Sequence, residues 1–424
     1  MSKHELAQPA ASALPPPSVA PARRKVPLTR PLRHPRYRRL WCANLVSNLG
    51  TWIQTFAAAW LVASSSHSAA TTTLVQTSTY IPIFLFALFA GVVADAVHRP
   101  KFLFFCNAFM AACSCTMATL VMSGHAPHAV VLALLFFLGC GSAFMWPAWQ
   151  AALSSLVEPD EVEAAATLNN LSYNVAAILG PALGGVLFRW IGAGPLFLIN
   201  AISFAGLLGV YLAWWREGGT HVRECAPFAE RLLQGLDLAL GCPRYRRILR
   251  NVATVFFATI AFAGLLPVFV RDVLRMDSSV FGLLMGSLGG GAVLAAFCLP
   301  AIRARVDKTN ILAGALVVYG LMLAVLPFLH TLSLLIPLIV CGGMAWSAVV
   351  STLNAAAQLS FPAAVRARTL AIYLVVMAGG YTAGSLFWGS VADAWGVRFA
   401  LATAGACLLV NAAVLLTGKR QIPI

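Results

Sequence analysis

The residues of this chain that could do chemistry are few, and they stand inside apolar runs. Asn44, Asn48, Thr51 and Thr55 follow one another at i, i+4, i+7 and i+11, one stripe of a helix. Ser347, Ser351, Asn354 and Gln358 repeat that spacing. Gln76 and Tyr80, Asn170 and Asn174, Tyr373 and Tyr381, and the tryptophans Trp52, Trp146 and Trp149 are similarly placed. Amides and hydroxyls exchange hydrogen bonds without titrating near neutrality, and indole and phenol rings offer flat apolar walls. Such a set suits holding an aromatic or amphiphilic solute rather than breaking bonds in one. The same amides and hydroxyls also glue helix to helix, and Trp146 and Trp149 also suit an interface belt.

Reactive constellations are absent. No His/Cys/Asp cluster, no phosphate-binding glycine loop and no soluble domain beyond the tail is evident, which argues against a membrane enzyme or sensor. The ten cysteines contain no C-x-x-C; eight lie in apolar runs and read as small hydrophobes. No metal and no cofactor is expected. Asp and Glu avoid the interior of every apolar run, so the pathway carries no evident proton-titrating carboxylate.

The elements that position these residues follow from composition. Hydrophobic residues make up 60% of the 424 and charged ones only 10%, far below the roughly 25% of a soluble chain. Mean hydropathy is +0.81. Apolar runs of about 20 residues, enough to cross a hydrocarbon core as a helix, recur twelve times. They are placed at 40–63, 74–94, 102–122, 128–152, 165–188, 195–215, 251–271, 279–301, 310–329, 332–356, 369–391 and 397–417. Short loops make neighbours antiparallel. The exception is Arg216 to Arg250, polar and long enough for an amphipathic surface helix.

Charge sets the orientation. With the N-terminus inside, 25 Lys and Arg fall on the inner side. Only Arg189, Arg271, Arg275 and Arg398 fall outside. That bias places both termini in the cytoplasm and favours an even number of spans. It also accounts for the net charge of +15 without nucleic acid. One inner loop is acidic instead, with Glu158, Asp160, Glu161 and Glu163. Residues 1–32 are Pro/Ala-rich, lack a signal-peptide core, and read as a disordered tail.

The chain repeats itself. Pro35-Arg36-Tyr37-Arg38-Arg39 precedes the first run, and Pro243-Arg244-Tyr245-Arg246-Arg247 precedes the seventh, an offset of 208. Gly180, Gly185 and Gly192 match Gly384, Gly389 and Gly396 at an offset of 204. The fold expected is therefore an all-α membrane protein with twelve spans in two pseudo-symmetric six-helix bundles. The bundles are residues 33–215 and 243–420, joined by a cytoplasmic linker at 216–242. Parallel repeats place a solute site between the halves near the midplane.

The run Gly91-Val-Val-Ala-Asp95-Ala-Val-His-Arg99-Pro-Lys101 leaves the membrane after the second span. Its G-x-x-x-D-x-x-x-R pattern resembles the signature loop of the major facilitator superfamily. Ala96 replaces an Arg that is usual there, and His98 a Gly or Asp. Arg366-Ala-Arg368 resembles the family's R-G-R after span 10. The resemblance implies a gate of Gly91, Asp95, Arg99, Lys101, Arg366 and Arg368 that holds the cytoplasmic ends of the halves together. Gly180-Pro181-Ala-Leu-Gly184-Gly185 resembles the G-P-x-x-G-G motif of drug/proton antiporters. Gly180 and Gly184 make a small-residue contact face, and Pro181 removes a helix hydrogen bond.

Ser47 to Gln54, Trp60 to Val62, Ala143 to Ala148, and Leu168 to Asn170 are similar to the bacterial exporters related to the enterobactin exporter, the transmembrane secretion effectors. That branch implies efflux of a small amphiphile, siderophore or drug-like, across the bacterial inner membrane by alternating access. Protons would be the coupling ion and the protein a monomer. Uptake or facilitated diffusion of a neutral solute is the other transport reading, and suits the missing acid. The gate makes one expectation concrete. Asp95→Asn inserts normally but impairs transport; wild-type transport rates in that variant would remove Asp95 from the gate.

Overall fold

In the computed structural model, residues 27–218, 237 and 239–417 are described. Most of the expected tail and linker, including the surface helix, lies outside them. The described residues form twelve long α-helices and no strand. The first six are α1 (Pro35–Ser65), α2 (Ala69–Ala96), α3 (Arg99–Met122), α4 (His128–Ser155), α5 (Val162–Ile191) and α6 (Ala193–Arg216). The second six are α7 (Pro243–Val268), α8 (Ser278–Arg303), α9 (Lys308–Val325), α10 (Leu332–Leu359), α11 (Ala363–Trp395) and α12 (Val397–Leu416). In hydrocarbon no water is at hand for the backbone, so each span closes its own hydrogen bonds as a helix.

Eleven of the twelve are long and apolar enough to cross a membrane by length and composition alone. The exception is α1, whose Asn44, Asn48, Thr51, Gln54 and Thr55 lower its hydropathy below the others. The helices also outrun their apolar segments. For example, α7 starts at Pro243, eight residues before the expected span, because Pro at the first helical position suits a helix start.

Helices α1 to α6 pack on one another, as do α7 to α12, giving two six-helix bundles. The bundles meet along two seams, α2 with α11 and α5 with α8. The repeat seen in the sequence has a structural counterpart. The Tyr37 hydroxyl donates to the Ala165 carbonyl at 2.9 Å, and the Tyr245 hydroxyl donates to that of Thr369 at 2.6 Å. Donors differ by 208 positions and acceptors by 204, the two offsets of the sequence repeat. Both tyrosines are buried. The pentapeptide therefore does one job twice, tying the first helix of each half to the fifth.

The glycine repeat does the same at the other end of the helices. Gly192, at φ +74°, is the single residue between α5 and α6, and Gly396, at φ +88°, the single residue between α11 and α12. A left-handed backbone lets the chain reverse in one residue, and only glycine adopts it freely.

The acidic loop after α4 is also accounted for. Arg30 reaches Glu158 at 3.3 Å, Asp160 at 3.4 Å and Glu161 at 2.8 Å, while His34 Nε2 lies 2.6 Å from Glu161. The Glu161 side chain is only 2% exposed. The loop is thus a receptor for the basic segment leading into α1, not an exception in charge.

Because the two tyrosine bonds are equivalent, Tyr37→Phe and Tyr245→Phe should each cost about 1 kcal/mol. Thermal unfolding of the purified protein checks this; the two melting temperatures should fall by similar amounts.

Candidate solute pathway between the halves

The seams between the bundles are built from small residues. On α5, Gly180 and Gly184 face inward to α1: a Cβ added at Gly180 would strike Trp52, and one at Gly184 would lie 2.9 Å from Phe56. The next face of the same helix meets the other half. A Cβ at Gly185 would lie 2.6 Å from the Ser278 carbonyl oxygen and 3.1 Å from Gly282 Cα. One at Gly282 would collide with the Pro181 carbonyl oxygen. The Ser278 hydroxyl donates to the Gly185 carbonyl at 2.9 Å. Farther along α8, Gly286 and Gly289 continue this close approach against Ile178 and Ala182. The Gly-Pro motif therefore packs two ways at once, within its half through Gly180 and Gly184 and across to the other half through Pro181 and Gly185. The glycines of α8 were not singled out in the sequence, although Gly282, Gly286 and Gly289 share helical spacing.

The second seam is α2 with α11. Thr77 and Ser385 share a hydrogen bond of 2.7 Å, and Gly379 receives the ring of Phe84, 3.0 Å from an added Cβ. Tyr80 and Tyr381 stack across this seam with centroids 4.3 Å apart. Tyr381 also meets Phe256 edge-on at 5.0 Å, and Phe256 meets Trp346 at 5.5 Å. Two expected residues thus belong to one aromatic cluster joining α2, α7, α10 and α11.

Between the seams lies a cavity of only about 20 Å³, room for about one water, with Trp52, Thr55, Gln76 and Pro181 in its wall. Phe281 and Met285 of α8 line its other side. Phe281 stacks on Phe56 at 4.7 Å and on Trp60 at 5.6 Å, which closes the pocket toward the far face, the one opposite the N-terminus. Trp52 meets Tyr173, the residue before Asn174, edge-on at 5.7 Å.

Other expected residues are placed differently. Asn48 donates to Ser172 of α5 at 3.4 Å, Asn44 to Asn169 at 3.1 Å, and Thr51 to Asn200 of α6 at 3.5 Å. Asn200 also donates to Gln54 at 2.8 Å. The α1 stripe is thus largely bonded within its own half rather than turned to the seam. Asn170 and Asn174 are exposed, as is Trp146 at 43%. Tyr373 is buried. On α10, Ser351 accepts from Arg303 at 2.7 Å, and Asn354 accepts from Gln358 at 2.9 Å on its own helix.

The expected gate is only partly visible. The side chain of Asp95 lies outside the described residues. A Cβ added at Gly91 meets nothing within 4 Å, so Gly91 is not a point of close helix contact in this conformation. Lys101 sits over the Trp215 ring at 5.4 Å, inside its own half and away from the seam, because a cation is attracted to an indole face. Arg99, Arg366 and Arg368 are half-buried.

At the far face the halves are bridged by polar and charged residues near the span ends. Arg189 at the end of α5 pairs with Asp277 at 2.8 Å, and Arg271 donates to the Ser66 carbonyl. Asp393 at the end of α11 accepts from Ser68 Oγ and from the Ala69 amide, both at 2.6 Å. These residues lie far apart in the chain, and only the fold brings them together.

Comparison with known proteins decides the family. The model of the transmembrane secretion effectors, a major facilitator family, matches residues 27–422. The chain belongs to that family. Among curated relatives, the multidrug efflux pump Tap of Mycobacterium tuberculosis is 23% identical over 367 residues, covering 84% of this chain and 87% of the relative. The staphyloferrin A transporter of Staphylococcus aureus is 25% identical over 65% of this chain and 69% of its own length. Among solved structures, the nucleoside transporter NupG superposes with a TM-score of 0.68 at 14% identity, covering 90% of this chain and 98% of that one. A bacterial homologue of the human lysosomal transporter Spinster also superposes at 0.68, covering 92% of this chain and 98% of that one. The chain is thus a multi-pass membrane transporter of the major facilitator fold, and not an enzyme.

The seam predicts its own sensitivity. Gly282→Val overpacks a backbone contact and should cost about 1–3 kcal/mol or prevent the far ends from closing. Gly290→Ala, on the same helix with nothing within 4 Å of an added Cβ, should leave melting temperature and monodispersity unchanged.

Proposed function

We propose that this transporter exports a small amphiphilic molecule, siderophore or drug-like, by alternating access coupled to proton influx. The observation that carries the reading is the two-faced Gly-Pro motif of α5. It packs Gly180 and Gly184 against α1 and Gly185 against α8, so the motif sits at the joint about which the halves would rock. The named efflux pump that aligns with 84% of the chain supports export. The aromatic cluster and the cavity wall with Thr55 and Gln76 suit a flat solute with a few polar groups once the halves part; in this closed arrangement the cavity has room for about one water.

In this reading residues 33–215 and 243–420 move as two bodies on the 216–242 linker, and the protein works as a monomer in the bacterial inner membrane. The N-terminal face, rich in Lys and Arg, is cytoplasmic. Asp95, Arg99, Arg366 and Arg368 close that face when the far face opens. The polar and aromatic side chains Trp52, Thr55, Gln76, Tyr80 and Tyr381 contact the solute.

Facilitated movement of a neutral solute is the second reading, favoured by the absence of Asp and Glu from the span interiors. Everted membrane vesicles separate the two. Labelled erythromycin, a macrolide, and staphyloferrin A are suitable probes. Accumulation that collapses on adding a protonophore is expected for proton-coupled export. Equilibration that ignores the protonophore would replace it with the second reading.

A further inference from the structure

The two bridges at the far face occupy equivalent places in the repeat. Arg189 and Asp393 stand at the ends of α5 and α11, 204 positions apart, the offset of the glycine repeat. Their partners, Asp277 and Ser68, are the residues that cap the start of α8 and of α2. In one bridge the capping residue is the acid, and it satisfies its own helix: Asp277 accepts from the amides of Ser279 at 3.0 Å and Val280 at 3.4 Å. Arg189 only adds a surface ion pair, with side chains 65% and 45% exposed. Such pairs contribute little in water.

Asp393 is exposed as well, but its bridge differs in kind because it caps a helix. The start of α2 has four backbone amides without partners one turn back. Ser68 Oγ takes that of Thr71 at 3.1 Å, and Ser66 Oγ that of Ser68 itself at 3.1 Å. The remaining two, Ala69 at 2.6 Å and Ala70 at 3.3 Å, go to the carboxylate of Asp393, from the opposite half. Ser68 Oγ donates to the same carboxylate at 2.6 Å. An anion at a helix start also meets the positive end of the helix dipole. Parting the halves here therefore strips a helix of half its cap, whereas parting Arg189 from Asp277 leaves α8 capped.

We propose that Asp393 is the latch that holds the far face shut, and that the Arg189–Asp277 pair contributes little to closure. The role in transport rests on the alternating-access reading; the latch itself does not. Asp393 acts by positioning α11 on α2 and touches no solute. Arg271 assists by donating to the Ser66 carbonyl in the same turn.

Amide hydrogen exchange on the purified full-length protein tests this. Asp393→Ala should speed exchange in the peptide spanning residues 66–75 by about tenfold, and Asp393→Asn, which keeps an acceptor oxygen and loses the charge, by about threefold. Arg189→Ala should change exchange in that peptide and at the start of α8 by less than about twofold. Unchanged exchange in Asp393→Ala overturns the proposal, and so does an equal opening in Arg189→Ala. A rise of the same size in α9, which does not pack on α2, would mean general loosening and also overturns it. The opposite ends of α2 and α11 report on rocking separately. Slower exchange there in Asp393→Ala supports alternating access; unchanged exchange there counts against that reading and leaves the latch standing.

Discussion

Everything in this molecule depends on how two helix bundles adhere where there is no water to drive them together. Lipid tails are as apolar as leucine, so burying leucine against leucine gains little there. Attraction must come from close packing, which requires that side chains be small. The contact of Gly185 with Ser278 and Gly282 brings two backbones within reach, and a hydroxyl-to-carbonyl bond from Ser278 adds direction. The same logic repeats at Thr77 and Ser385 on the opposite seam. A seam of this kind holds without interlocking. That property is what the proposed rocking of the two bodies requires.

The repeat distributes the work unequally. Both halves keep the tyrosine that ties the first helix to the fifth, and both keep the glycine that reverses the chain before the sixth. Those features make a bundle, so each half needs its own. At the far face the two copies have parted: one capping residue is an aspartate that serves its own helix, and the other is a serine that leaves room for a carboxylate from across the seam. The two copies thus differ at a contact where the halves meet.

Polar residues in the spans divide in the same manner. Asn44, Asn48, Thr51 and Gln54 bond to α5 and α6 and stiffen the first bundle. Trp52 and Thr55, one and four residues beyond Thr51, turn into the pocket between the bundles. A hydrogen bond in a low-dielectric interior is costly to leave unmade, so an amide facing a neighbouring helix is used there. In the proposed function, one facing the pathway stays available to a solute.

The class, the number of long helices and the duplication are legible in the sequence alone, because each is written in composition and spacing; the family is legible only through motifs that resemble it, such as Gly91 to Lys101 and Gly180 to Gly185. Hydropathy sets length, and length sets a span. The PRYRR pentapeptide and the paired glycines announce two copies of one unit, and the tyrosine bonds to Ala165 and Thr369 explain why that pentapeptide recurs. What the sequence could not determine was which polar residues face which neighbour. A stripe at i, i+4, i+7 says that side chains share a face, not what that face meets. Only the tertiary structure turned Asn48 toward Ser172 and Trp52 toward the pocket, and set Lys101 on Trp215. Only it brought Asp393 to the start of α2, a pairing of residues more than three hundred positions apart. The reason is physical: helix periodicity is local, whereas a contact between bundles is decided by how two independently folded surfaces dock.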